Sequence, residues 1–414
     1  MTLKRVVITG VGAITGLGDD VSDMLEGMEQ GRSGVRRMDG WERYTGLRSL
    51  VGAPAELKNE KKIPRKSRRS MGRMGIFAVQ AADQAIKDAS FDTEQLCSGR
   101  VGCIIGSTMG GPEALNDSFE IMLPERDLSK LSSMKFFQCV SHTASMNVAQ
   151  YLGISGCVMA TSAACASGLQ AIGTGYDLVR IGRQDAVLCG GSEEIHPTVT
   201  GSFDILFAAS TGYNDTPEKT PRPFDSRRDG LVCGEGSGIV LLEEYEHARA
   251  RGADMYAEII GYNTCGSGTH ISQSNRDAMI KCLRAALDDA CISREEVDYI
   301  SAHATATLQG DAEEAEAVKE VFGSSIAVSS LKGYIGHTMG ASGAIELIAA
   351  LHMMRKGVIY PTLNLEEVGP DCRGIQHVTE LERRTIDTIV KNCFAFGGIN
   401  ASLVCRKVER VGQK

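Results

Sequence analysis

Cys165 lies in the stretch "TSAACASGLQ", residues 161–170, surrounded by Ala163, Ala164, Ala166, Ser167 and Gly168. The chain has 13 cysteines, and most free cysteines are small buried hydrophobes, so context has to single one out. These neighbours take up almost no volume, which leaves room for a substrate carbonyl to reach the sulfur. The segment also reads as the mouth of a helix. A thiol there sits in the positive end of the helix dipole, which favours the nucleophilic thiolate. The first N–H groups of such a helix are unpaired within it and can donate to an oxyanion forming on a bound thioester.

Two further stretches are crowded with polar groups and glycines. "SAHATATLQGD" carries His303, Thr305 and Thr307, and "SSLKGYIGHTMGASG" carries Lys332 and His337 five residues apart. A lone histidine is usually structural. These two, out of 8, both follow strand-like runs in loops of the same half of the chain.

The elements that must position these groups alternate. "KRVVITG", "RVGCIIGS", "DAVLCGGS", "GIVLLEE", "AEIIGY", "DYISAH", "IAVSSL" and "ASLVCRKV" read as strands, while Ala81–Ala89, Arg276–Cys291 and Asp311–Phe322 carry helical periodicity. This is an α/β pattern. It also repeats. "ASGLQAIGTGYDLVRIG" from Ala166 and "ASGAIELIAALHMMRKG" from Ala341 are both 17 residues long. Each follows a candidate reactive side chain, Cys165 or His337. The chain therefore reads as two duplicated halves, 1–250 with the cysteine and 251–414 with the two histidines, divided within "YEHARARGADM".

Several functions are excluded by composition. A net charge of −8 argues against general nucleic-acid binding. No apolar run approaches the ~18 residues of a membrane span. "MTLKRVVITG" enters a strand without an apolar signal segment, so the cysteines, none spaced C-x-x-C, read as reduced thiols in a cytoplasmic protein. No Cys/His cluster has zinc-ligand spacing. Gly10, Gly12 and Gly16 are spaced G-x-G-x-x-x-G rather than as a dinucleotide fingerprint, and they read as a tight strand-to-loop turn. "DGLVCGEGSGIVLL" leads into a strand and lacks Gly-Lys-Ser/Thr, so it is no phosphate loop.

Six stretches in this order resemble one family: "VVITGVGAITGLG", "SAACASGL", "RPFDSRRDGLVCGEGSG", "SAHATATLQGD", "LKGYIGHTMGASGAIE" and "NCFAFGGINAS". The chain resembles the elongating β-ketoacyl-[acyl carrier protein] synthases of fatty-acid and type II polyketide synthesis. The resemblance implies a thiolase-like fold in layered α-β-α-β-α arrangement and a decarboxylative Claisen condensation with malonyl-acyl carrier protein. It implies Cys165 as the acyl-accepting nucleophile and His303 and His337 as the pair that binds the extender carbonyl. Lys332 would order the site with Glu346. The N–H groups of Cys165 and Phe396 would form the oxyanion hole. Thr305 and Thr307 would bind the pantetheine arm, Phe396 would gate the acyl pocket beside Phe394, and Met109 would line its far end. No cofactor is implied, because the substrates ride on the phosphopantetheine of the carrier. The chemistry is consistent with this: acyl transfer and carbon–carbon bond formation are split by a covalent thioester, and two neutral imidazoles can stabilise an enolate without a metal.

The chain departs from the family pattern at Ala304, Leu308, Ala395 and Ile399, and in the loop "NTCGSGTHISQSNR" from Asn263. With Met109, these departures favour a polyketide or polyene chain over a long saturated one. Three rivals are weighed. A non-catalytic chain-length partner would lack the cysteine. A degradative thiolase would carry a second cysteine in a Cys-x-Gly setting near the C-terminus. A chain-initiating synthase would have asparagine where His337 stands. A dimer is expected through a strand in "YLGISGCVMATSA", with a second copy or with a chain-length paralogue. Residues 58–73, "KNEKKIPRKSRRSMGR", hold eight basic residues and one acid; an acidic carrier protein would dock there on Arg65, Lys66, Arg68 and Arg69.

Overall fold

The computed structural model describes residues 3–408. The first half supplies β1 (Val6–Ile14), β2 (Val101–Gly106), β3 (Val158–Met159), β4 (Ala186–Glu193) and β5 (Gly236–Glu244). The second supplies β6 (Ala257–Gly266), β7 (Tyr299–Ser301), β8 (Ala327–Ser329), β9 (Gln376–His377), β10 (Thr388–Ala395) and β11 (Ile399–Arg406). Reading outward from the centre, the first half runs β1-β5-β4-β2-β3 and the second β6-β11-β10-β7-β8, with β9 added at the edge. The pairings repeat as well: antiparallel, antiparallel, parallel, parallel in each half. The halves meet where β1 pairs antiparallel with β6 at Val6↔Ile259, Val7↔Glu258 and Ile8↔Ala257. The 17-residue repeat is thus the visible part of a duplication of the whole strand order.

Five helices matter for the site: α1 (Arg73–Asp88), α2 (Ser167–Arg180), α3 (Arg276–Ala290), α4 (Leu308–Phe322) and α5 (Ser342–Lys356). The repeated helices α2 and α5 pack on each other and on strands of both halves, forming the middle layer. α1 covers β1 and β5 from outside, and α3 covers β6 and β11. Strands covered on both faces need no polar side, and every residue of β1, β2, β4 and β10 is buried.

Gly10 and Gly12 are not a turn. β1 continues through both, and the chain reverses only at Thr15–Gly18. A Cβ at Gly10 or Gly12 would collide with the carbonyl oxygen of Ala85 or Ala81. These glycines let α1 lie directly on the strand. The same logic applies in the middle layer, where a Cβ on Gly168 would lie 2.5 Å from Gly340 O, and one on Gly343 would lie 2.9 Å from Leu169 Cβ.

Candidate active site

Neither α2 nor α5 has a side-chain N-cap: alanine occupies the cap position of each. The residue before Cys165, Ala164, is held at φ +48, which turns the chain sharply into α2. Ser167 stabilises the turn, its Oγ accepting the N–H of Ala163 at 2.8 Å and donating to Ala164 O at 2.6 Å. Two more non-glycine residues with positive φ flank the other reactive segments, Ala306 at +69 and Met339 at +44. Such conformations cost on the order of 1–3 kcal/mol each and persist where the surroundings enforce them.

The three residues come together. Cys165 Sγ lies 2.9 Å from His337 Nε2. The rings of His303 and His337 stand edge to face, centroids 5.2 Å apart. The sulfur and one nitrogen of each ring all lie within 4.8 Å of one another, a grouping that sequence spacing does not reveal. All three residues are buried. His337 is fixed from both sides by the glycine-rich "LVCGEG" segment: its N–H donates to Val232 O at 2.7 Å and its carbonyl accepts Gly234 N–H at 2.8 Å. His303 is held from α4. Glu314 accepts the N–H of His303 at 2.9 Å and of Ala304 at 2.6 Å, and Asp311, one turn earlier, accepts those of Thr305 and Ala306 at 2.9 and 3.1 Å.

Burial, and after it the ammonium of Lys332, holds both imidazoles well below their ordinary value, so each is neutral. Burial also pushes the Cys165 thiol up to about 12, with Cys393 adding to the rise; Lys332 and the N–H of Phe396 oppose it. The thiolate expected from the helix terminus is therefore not the resting form. A helix terminus contributes at most about 2 kcal/mol, less than this burial costs. The sulfur is at rest a thiol in contact with His337. The Phe396 N–H lies near enough to the sulfur to act on it.

Lys332 is fully buried, its Nζ 2.7 Å from Glu346 Oε1. Lys391, which the sequence reading passes over, meets the other oxygen, Oε2, at 2.5 Å and is equally buried. A lysine inside the apolar run "TIVKNCFA" is the signal that could have exposed it. Asp311 and Glu314 were likewise missed, because acids on a helix ordinarily face water.

Thr305 and Thr307 stand with their hydroxyls 3.2 Å apart and line a cleft with His303, His337, Phe394 and Phe396. Phe396 stacks on Phe203 at 5.6 Å. The two segments that depart from the family pattern touch: Gly397 N–H donates to Ile271 O at 2.6 Å, and Ser267 N–H to Gly398 O at 2.7 Å. Met109 is not in this cleft; it is 45% exposed on the surface of the chain. Of the basic segment, Arg65, Lys66 and Arg69 are exposed and form no ion pair among the described residues, whereas Arg68 is half-buried and bonds Ile63 O and Glu60. Arg73, at the end of that segment, turns inward to the buried Glu235 at 2.6 Å.

The chain matches known proteins over nearly its full length. Residues 3–248 match "Beta-ketoacyl synthase, N-terminal domain" and residues 256–366 match "Beta-ketoacyl synthase, C-terminal domain". The 3-oxoacyl-[acyl-carrier-protein] synthase 1 of Escherichia coli (strain K12) is 36% identical over 409 residues, covering 98% of this chain and 100% of that protein. The crystal structure of a beta-ketoacyl synthase from Burkholderia phymatum superposes with a TM-score of 0.95 at 41% identity, covering 98% of this chain and 100% of that one. A type II polyketide ketosynthase, solved in complex with its acyl-carrier protein, superposes at 0.90 with 31% identity, over 98% of this chain and 100% of that one. With both halves of the duplication matched, and a cysteine and two neutral imidazoles at the joint between them, the chain belongs to the β-ketoacyl synthase family.

Proposed function

We propose that this protein is an acyltransferase that extends an acyl chain by decarboxylative condensation with malonyl-acyl carrier protein, through an acyl thioester on Cys165. The observation that carries the reading is the convergence of one thiol and two neutral imidazoles at an uncapped helix start.

In the first step Sγ attacks the acyl thioester. Its proton passes to Nε2 of His337, 2.9 Å away, and on to the departing thiolate of the carrier arm, which leaves the imidazole neutral again. The oxyanion is held by the N–H groups of Cys165 and Phe396. In the second step the malonyl thioester carbonyl lies against His303 and His337. The bond to the carboxylate breaks, CO₂ leaves, and the electron pair becomes an enolate whose oxygen accepts hydrogen bonds from the two rings. A neutral ring donates a hydrogen bond but is too weak an acid to protonate the enolate before it attacks, which is why the depressed basicity of both histidines suits the step. The enolate carbon attacks the acyl group, the C–S bond breaks, and the Cys165 thiolate takes up a proton from water. Thr305 and Thr307 bind the pantetheine arm at the cleft mouth, and Arg65, Lys66, Arg68 and Arg69 receive the carrier.

The exposed outer strand β3, with Val158 and Met159 at 44% and 42% exposure, is the edge through which two subunits pair. Such an apolar edge is a ready template for another strand.

Mass spectrometry tests the function. Acyl carrier substrate should leave an acyl adduct on Cys165 that disappears when malonyl carrier is added. Cys165→Ser should form no adduct and no product. His303→Ala should retain an adduct but lose condensation; His337→Ala, which has lost the proton acceptor of the thiol, should form the adduct slowly and also lose condensation. Condensation at wild-type rate in Cys165→Ser, or in both histidine variants, refutes the assignment.

A further inference from the structure

Lys391 has no exposed surface, although it lies in the middle of a strand. Burying an ammonium costs several kcal/mol of hydration. One lysine, Lys332, already meets Glu346, so neutralising that carboxylate does not require a second. The further contacts of Lys391 give the reason for it. Besides Glu346 Oε2 at 2.5 Å, its Nζ donates to the carbonyls of Ser301 and Ala302, each at 3.3 Å. Those are the two peptide groups immediately before His303. Lys332, on the other oxygen, opens the short segment that reaches His337 five residues later. One carboxylate thus clasps both histidine-bearing segments, one through each oxygen.

We propose that Lys391 is a positioning residue for the decarboxylative step: with Glu346 it fixes the backbone at 301–302 so that His303 stands at its working distance from His337. This rests on the roles given to the two histidines above.

The charges around it make the role measurable. Lys391 faces Glu346 from α5, Glu314 from α4, Lys332 and His337 from the segment after β8, His303 from the loop after β7, and Cys393 on its own strand. Two ammonium groups balance two carboxylates, one of which, Glu314, also carries the N–H of His303. Without Lys391, the Glu314 carboxyl and both imidazoles lose a nearby cation that holds their proton affinity down.

The test uses the full chain with acyl carrier and malonyl carrier substrates. Acyl loading of Cys165, malonyl decarboxylation and condensation are followed separately across pH. In Lys391→Met, loading should stay within about twofold of wild type, while decarboxylation and condensation fall together by roughly 10²-fold, the scale of a misplaced reacting group. The acid limb of condensation should move up by about one pH unit. If Lys391→Met does not fold, Lys391→Gln is read in the same way, with the loading amplitude as the measure of folded protein. Loading that falls as far as condensation, an acid limb that stays in place, or condensation within about threefold of wild type would each overturn the proposal. A wild-type chain that loads but never decarboxylates would instead refute the parent reading, and this one with it.

Discussion

Replacing Gly168 with alanine adds one methyl group at the point where the two halves press together. The added Cβ would lie 2.5 Å from Gly340 O and 3.3 Å from Gly191 Cα. A carbon–oxygen contact relaxes to about 3.3–3.6 Å, so the backbones must part by roughly 0.8–1 Å. Gly340 cannot easily retreat, since its N–H is bound to Glu193 at 3.0 Å and its far side meets Thr108 N and Ser107 Cα. Overpacking of this kind costs about 1–3 kcal/mol. Removing a helix glycine gains about 1 kcal/mol, which leaves a net loss of about 0–2 kcal/mol. Function should suffer more than stability. Gly168 is three residues from Cys165, and Gly340 is three from His337, so the parting is delivered to the 2.9 Å contact between thiol and imidazole. A displacement near 1 Å at reacting groups costs on the order of 10²-fold. Denaturant titration would measure the first quantity, and single-turnover acylation of Cys165 the second. Acylation within about threefold of wild type, in a variant destabilised by the stated amount, would refute the claim that this glycine contact sets the geometry of the site.

Three other outcomes are expected. His303 and His337 are neutral when folded and have a lower proton affinity there than in the unfolded chain. The stability each contributes is present above the unfolded value, about pH 6.5, and is lost as pH falls below it. Between about pH 7.5 and about pH 5.5, wild type should therefore lose about 1.4 kcal/mol more than His303→Gln; parallel loss in the two proteins would contradict this. Carrier affinity should fall steeply with salt, since exposed charges are screened over roughly 10 Å at 0.1 M, and reversing Arg65 and Arg69 to Glu should raise the KM for carrier-bound substrate and flatten that dependence. Acylation by a small thioester should not change; equal loss with both substrates would assign the segment to the fold. Light scattering at micromolar concentration should find a dimer, and a fully active monomer would remove β3 from consideration as an interface.

The reactive trio was legible because nucleophile and imidazoles sit in loops crowded with small residues, where few structural reasons compete. The duplication was legible in one helix pair because buried helices at a close crossing have little freedom in sequence. Gly10 and Gly12 misled because glycine marks a turn and a close approach equally well, and only the position of α1 separates the two. Asp311, Glu314 and Lys391 were hidden for a different reason. An acid on a helix is not marked as buried until its partner, 78 residues away for Asn392 and Glu314, is placed beside it, and Lys391 is marked only by the apolar run on either side of it. The thiol followed the same rule: the helix terminus is local and readable, while the burial that outweighs it comes from the whole fold.

The 172 residues that separate Cys165 from His337 have a consequence in time. At a synthesis rate of about 5–20 residues per second, and with earlier parts of a chain folding first, the cysteine leaves the ribosome roughly 10–30 seconds before its imidazole. Through that interval it has neither His303, His337 nor the N–H of Phe396, and the carbonyl of Gly340 does not yet press on its helix. The nascent thiol therefore has no imidazole beside it and cannot hold an oxyanion at two points. Carrier-bound acyl groups meet the assembled site only after the last strands have closed over the sulfur.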